Sequence, residues 1–159
     1  MPSQRLKQCL DNHGISYTTI DHSPAYTAQE TAHASHISGN DIAKTVIAKV
    51  NDEMVMIVLP ASDMVVLDFI RDAIGTQNVE LASEAEFRDR FPECELGAMP
   101  PFGNLFGMEV FVSERLTQES QIAFNAGTHT ELIQMSYHDF DQLVKPRVIR
   151  LSYADSALM

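Results

Sequence analysis

The longest apolar run in the chain, Met54 to Ala61, has the length of a strand and is almost unbroken. A strand with one face in water alternates apolar and polar residues, so a run without alternation predicts burial on both faces. A second strand-like segment, Thr45 to Val50, precedes it across Asn51-Asp52-Glu53, and that spacing predicts a hairpin. The elements around the hairpin come in mixed order. Together with a length of 159 residues, against roughly 100–200 for one domain, they predict a single α+β domain over residues 1–159.

Local signals place the other elements. Ser3 can cap a helix over 3–13 in which Leu6, Cys9 and Leu10 share a face, and Gly14 suits the left-handed position after it. Tyr17 to Asp21 is β-branched and aromatic, hence a strand. Thr27-Ala28-Gln29-Glu30 spells a capping box for a helix over 28–35, and Ser83-Glu84-Ala85-Glu86 spells a second, stopped by Pro92. Between them, Asp63 is expected to open the clearest helix, with Val66, Phe69, Ile70, Ala73 and Ile74 at helical spacing and Gly75 at its end. Met108–Val112, Ile122–Asn125 and Leu132–Met135 read as strands. Ser136 with Asp139 caps a last helix through Val144, and the tail from Arg147 shows no clear pattern.

Charge limits the function. Eleven basic against 22 acidic residues give −11, which argues against a protein held to nucleic acid or lipid by bulk positive charge. No apolar run reaches the ~18 residues that span a bilayer, and Met1-Pro2-Ser3-Gln4-Arg5 lacks the apolar stretch of a signal peptide. Cys9 and Cys94 have no close spacing and read as two reduced thiols, in keeping with a cytoplasmic location.

Three stretches can carry chemistry. Lys44 stands at the start of an apolar strand. It is either a solvated edge lysine or an ammonium at the mouth of a pocket, where it would meet a phosphate or a polarised carbonyl. Lys49, at the strand's other end, reads as merely solvated. The stretch Gly97-Ala98-Met99-Pro100-Pro101-Phe102-Gly103 has two prolines and two glycines in seven positions and must be a shaped loop. Its glycines would let main-chain groups approach a ligand, and its prolines would hold those groups in place beforehand. Gly127-Thr128-His129 sets a histidine beside a glycine in a strand connection. It could move protons or donate to an oxyanion, or simply make one turn hydrogen bond. His33 and His36 could share a helical face, but no second ligand pair follows, so no metal is expected. Asp68 and Asp72 read as a solvated helix face. No phosphate-binding or dinucleotide glycine motif occurs, and no nucleophile elbow accompanies Asp21-His22-Ser23.

In this order and spacing, Ala43-Lys44-Thr45-Val46, the Gly97–Gly103 loop and Ala123-Phe124-Asn125-Ala126-Gly127-Thr128-His129, running into Ile133-Gln134-Met135, resemble the YbaK family. These are aminoacyl-tRNA deacylases related to the editing domain inserted in bacterial prolyl-tRNA synthetases. The resemblance covers about residues 3–145. It implies a mixed, strongly bent β-sheet flanked by helices, and hydrolysis of the ester between a wrong amino acid and the 3′-terminal adenosine of a tRNA, without a cofactor. It implies Lys44, Gly97, Gly103 and His129 as the catalytic set, with Thr45, Ala98, Pro100, Pro101, Gly127 and Thr128 as substrate contacts. Thr45 stands where one branch has asparagine, and Ala98 where many members have serine, so the amino acid removed stays open. A synthetase is one route by which the substrate could be delivered, and a monomer is the simplest expectation. Two other readings remain beside this one. The first is a non-catalytic module that binds an aminoacyl or nucleotide-like ligand or docks on a synthetase. The second is a general small-ester hydrolase, which the lack of a Ser-His or Cys-His pairing disfavours.

Overall fold

The computed structural model describes residues 4–25 and 28–155. In chain order the main elements are α1 (Gln4–Asn12), β1 (Tyr17–Asp21), α2 (Ala28–Ser35), β2 (Ala43–Val50), β3 (Glu53–Pro60), α3 (Leu67–Ile74), β4 (Val79–Leu81), α4 (Glu84–Phe87), β5 (Val110–Ser113), β6 (Gln121–Asn125), β7 (Glu131–Ser136), α5 (Tyr137–Val144) and β8 (Arg147–Ile149). The caps expected at Ser3 and Thr27 lie outside the described residues.

β2 and β3 form the expected hairpin, in antiparallel register from Ala43–Pro60 to Val50–Glu53. β3 is buried from Val55 to Pro60 because it is the middle strand of a five-stranded sheet of order β4-β2-β3-β5-β8. Its pairing with β5, and that of β5 with β8, is parallel, so the sheet is mixed. A second, antiparallel ladder has the order β1-β7-β6. The two ladders meet where Ile42 bridges Ala123. There the Ala123 N–H donates to Asp41 O at 2.9 Å, and the Ala61 N–H donates to Ile42 O at 2.8 Å. The strongly bent, helix-flanked sheet is thus two ladders joined beside the start of β2.

The two faces of the β2–β3 hairpin feed different cores. Ala43, Ile47, Met56 and Val58 join Leu6, Leu10, Met99, Phe102, Phe124 and Phe140. Ala48, Val50, Val55, Ile57 and Leu59 pack with Ile70 of α3, Phe111 and Leu151. Period-two alternation puts Thr45, opposite Val58, on the first face, and Lys44, opposite Leu59, on the second.

Some local expectations hold in detail. Ser83 and Glu86 form the reciprocal capping box, the Ser136 side chain accepts from the Asp139 N–H, and Gly75 ends α3 at φ +82°. Asp63 departs from expectation. The helix starts at Leu67, with Val66 as a cap residue that makes no side-chain bond. The Asp63 carboxylate is buried and accepts from Arg115 Nη1 at 2.6 Å, and a buried charged pair outcompetes an exposed cap. Lys49 is more than a solvated lysine. It pairs with Glu80 on β4 and with Glu86 on α4, and its hydrogen bond holds the Glu86 carboxyl down to about 2. β5 begins at Val110 rather than Met108, because the Met108 N–H turns back to Gly103 O. β4 and β8 are three residues each and gain strand character from the neighbours they pair with.

Candidate active site

Residues 95–107 adopt the shaped loop that their prolines and glycines require. Its first part is joined to the β6–β7 connection by three hydrogen bonds. The Glu95 N–H donates to Gly127 O at 2.8 Å, the Gly127 N–H donates to Ala98 O at 3.0 Å, and the His129 N–H donates to Glu95 Oε1 at 2.7 Å. A fourth link is the His129 ring, with Nε2 2.6 Å from Leu96 O. A carbonyl oxygen only accepts, so Nε2 carries the hydrogen in this arrangement. Gly97 is exposed and has φ +84°; a Cβ there would lie 3.3 Å from His129 Cε1. Gly127 has φ +102°. Both glycines occupy left-handed backbone that other residues rarely adopt. Two stretches thirty residues apart in sequence therefore form one rigid unit at the end of the second ladder. The Ala25 N–H, donating to His129 O at 3.1 Å, fastens it from the β1 side.

The remaining expected site residues are placed as follows. Ala98, Pro100 and Pro101 are buried, and Thr128 is buried with its hydroxyl 3.3 Å from that of Thr130. Thr45 is half-buried on β2. Gly103 is buried and packs at the start of β5. A Cβ there would lie 2.5 Å from Met108 O and 2.6 Å from Val110 Cγ2, so packing alone requires glycine.

Lys44 is half-buried, and its ammonium makes no hydrogen bond or ion pair with a described residue. Burial pulls its pKa below the ordinary lysine value, and the charge of Asp63 opposes that pull. The junction of the ladders relates it to the unit around His129. Ile42, two residues before Lys44, bridges Ala123, three residues before Ala126. The hydrogen bonds join Glu95, Leu96 and Ala98 directly to Gly127 and His129, and Gly97 lies between the bonded residues. Lys44 and Thr45 come from the adjoining strand, and Gly103 belongs to the loop's other end.

Sequence reasoning missed Glu95, whose side chain bonds the His129 main chain, and Arg115, which reaches Asp63. Nothing in the sequence distinguishes either from the other charged residues. Cys94, next to Glu95, is a free thiol that burial pushes up to about 11, with Glu93 adding to the effect, so it is a poor nucleophile near neutral pH. Among the described residues no group of three His, Cys, Asp or Glu is placed to hold a metal, and no helix is long and apolar enough to cross a membrane. An ammonium taken partly out of water and without a partner among the described residues suits the stabilisation of charge on a carbonyl oxygen.

Residues 22–143 match the aminoacyl-tRNA editing domain. The prolyl-tRNA editing protein ProX of Acetoanaerobium sticklandii is 26% identical over 142 residues, covering 86% of each chain. Two solved structures share the fold. The hypothetical protein APE2540 has a TM-score of 0.83 at 19% identity, covering 94% of this chain and 99% of that one. A protein described as a candidate trans-editing enzyme for prolyl tRNA synthetase has a TM-score of 0.78 at 19% identity, covering 94% and 95%. The chain belongs to the aminoacyl-tRNA editing domain family and is an aminoacyl-tRNA deacylase, a hydrolase of the ester that joins a wrong amino acid to a tRNA.

Proposed function

We propose that the protein acts in trans on proline-specific tRNA charged with a wrong amino acid, with Lys44 as the residue on which turnover most depends. The substrate reading rests on the names of the ProX relative and of the structural neighbour. The residue reading rests on one observation above all: the partly desolvated Lys44 ammonium has no fixed partner among the described residues and so remains available to a substrate. Lys44 holds the phosphate or ribose of the terminal adenosine and stabilises charge on the ester carbonyl. Main-chain groups around Gly97 orient the ester, and His129, its Nε2 committed to Leu96 O, positions the Gly97 turn.

Water attacks the activated ester directly. The tetrahedral oxyanion collapses, the C–O bond to the ribose breaks, and the ribose oxygen takes a proton as the free amino acid leaves. No acyl-enzyme forms on Cys94, whose thiol holds its proton too tightly. Cys94→Ser should therefore keep deacylation within about twofold of the parent, since a residue outside the machinery adds no barrier. A loss of 100-fold, or a trapped thioester, would restore a covalent route.

With a net charge of −11, contact with tRNA is confined to the acceptor end, and a synthetase is the natural carrier. We place the protein in the cytoplasm, acting as a monomer and as one domain. Release of free amino acid from a panel of mischarged tRNAs tests the function. Turnover is expected on proline-specific tRNA carrying a wrong small amino acid. Ligand binding without release on every member of the panel would instead support a binding module.

A further inference from the structure

β6 ends on a buried polar group. The side-chain oxygen of Asn125, Oδ1, is buried and accepts no hydrogen bond from a described residue. A buried acceptor without a donor burdens the fold, and asparagine is a poor strand former, so neither packing nor propensity favours it here. The strand register gives its surroundings. Asn125 lies opposite Leu132 on β7, and Leu132 lies opposite Ile20 on β1. Residues directly opposite each other share a face of the sheet. Asn125 therefore stands on the face where Ile42, Ala61, Ala123 and Leu132 form an apolar cluster with Ala32 and Ile37 packed against it.

The junction of the two ladders brings Lys44 to the same face. Ile42 and Ala123 are bridge partners in a parallel sense, and β2 and β6 are in contact. Two residues further along each strand come Lys44 and Asn125, level with each other in register. Period-two alternation returns both to the side of Ile42 and Ala123. An ammonium only donates hydrogen bonds, and an amide oxygen only accepts them. The groups around the ester of an aminoacyl-adenosine divide in the same way. The carbonyl oxygen and the phosphate call for donors, whereas the α-amino group and the vicinal ribose hydroxyl call for an acceptor. We infer that Asn125 is a substrate-binding residue: its Oδ1 accepts a hydrogen bond from a donor flanking the ester, the ribose hydroxyl or the α-amino group. Binding then supplies the partner that Oδ1 lacks in the free protein, which explains a polar side chain on an apolar face. The inference deepens the proposed function and rests on Lys44 for the place of the ester.

The test couples protein variants to substrates that lack one donor. Asn125→Leu removes the acceptor at similar size, and Asn125→Ala removes it without adding bulk. Both are measured on the mischarged tRNA that the panel shows to be hydrolysed fastest. Two analogues accompany it: the same tRNA carrying the acid without its α-amino group, and the same amino acid on a tRNA ending in 2′-deoxyadenosine, which lacks the vicinal hydroxyl. The analogues are offered as competitors of the complete substrate, so affinity is read whether or not they are hydrolysed. With the complete substrate both variants should raise KM about fivefold to tenfold, the loss of one neutral hydrogen bond. Asn125→Leu should melt at the parent temperature or above it. The penalty should vanish with at least one analogue, which identifies the donor. If no member of the panel is hydrolysed, the same ratios are read as dissociation constants. An equal penalty on all three, an unchanged KM on the complete substrate, or a large fall in the melting temperature of Asn125→Leu would overturn the inference. Lys44→Met separates the two readings. Near-parent turnover in that variant, with the coupling of Asn125 intact, rejects the role of Lys44 and keeps the substrate contact of Asn125.

Discussion

Lys44→Met should lower deacylation by about 100- to 1,000-fold, the range for removing one preorganised donor to a developing oxyanion, while leaving the melting temperature unchanged or slightly raised. The two halves of this expectation share one cause. Burial depresses the pKa of Lys44, so the folded protein binds its proton less tightly than the unfolded chain does. Below the folded-state value the lysine is charged in both states, and the full penalty of its desolvation falls on the fold. That penalty is relieved as pH rises through the folded-state value toward the ordinary lysine value. Methionine has a similar length and no charge, so at neutral pH the substitution removes a burden from the fold. The lost attraction to Asp63 works the other way, but Arg115 still pairs that carboxylate. Amino-acid release and thermal melting on the same preparation check both halves. Near-parent turnover removes Lys44 from the chemistry. A large fall in melting temperature shows instead that the ammonium has a structural partner. Lys44→Arg keeps the charge but replaces a compact ammonium with a planar fork, and should recover only part of the rate.

What could be read in the sequence follows the range of the forces involved. The capping box at Ser83, the left-handed turn at Gly75 and the two-face burial of β3 are decided within a few residues, and the chain spells them out. β4 and β8 are too short to carry a pattern, and they become strands because β2 and β5 offer them free edges. Asp63 was legible as a helix cap by residue type alone. Only the fold brings Arg115, 52 positions away, within 2.6 Å of it. The site divides in the same way. The glycine-proline loop and Gly127-Thr128-His129 announce special backbone, and the structure joins them by main-chain hydrogen bonds that no residue pattern encodes. Glu95 is invisible beforehand because its importance is a single contact with the main chain of His129.

Gly103→Ala should destabilise the protein by about 2–3 kcal/mol, or about 5–10 °C in melting temperature. The added methyl would lie 2.5 Å from Met108 O and 2.6 Å from Val110 Cγ2. The valine can turn. The carbonyl cannot easily move, because Met108 also donates its N–H to Gly103 O at 2.9 Å, and this tight reversal leads the chain into β5. β5 pairs with both β3 and β8, so a shift there is felt across the five-stranded sheet. Gly97→Ala is the informative contrast. Gly97 is exposed and its nearest new contact is a ring edge at 3.3 Å, but its φ of +84° resists any side chain. That strain of about 1–2 kcal/mol falls on a turn that abuts His129, so a rate loss of about tenfold should accompany a smaller stability loss. Melting curves and deacylation rates for the two variants separate the roles. If Gly103→Ala melts like the parent but fails to turn over, that glycine presents its main chain to the substrate. If it melts early and its folded fraction still turns over, its place in the family pattern reflects how β5 is built, and the chemistry belongs to the Gly97 end of the loop.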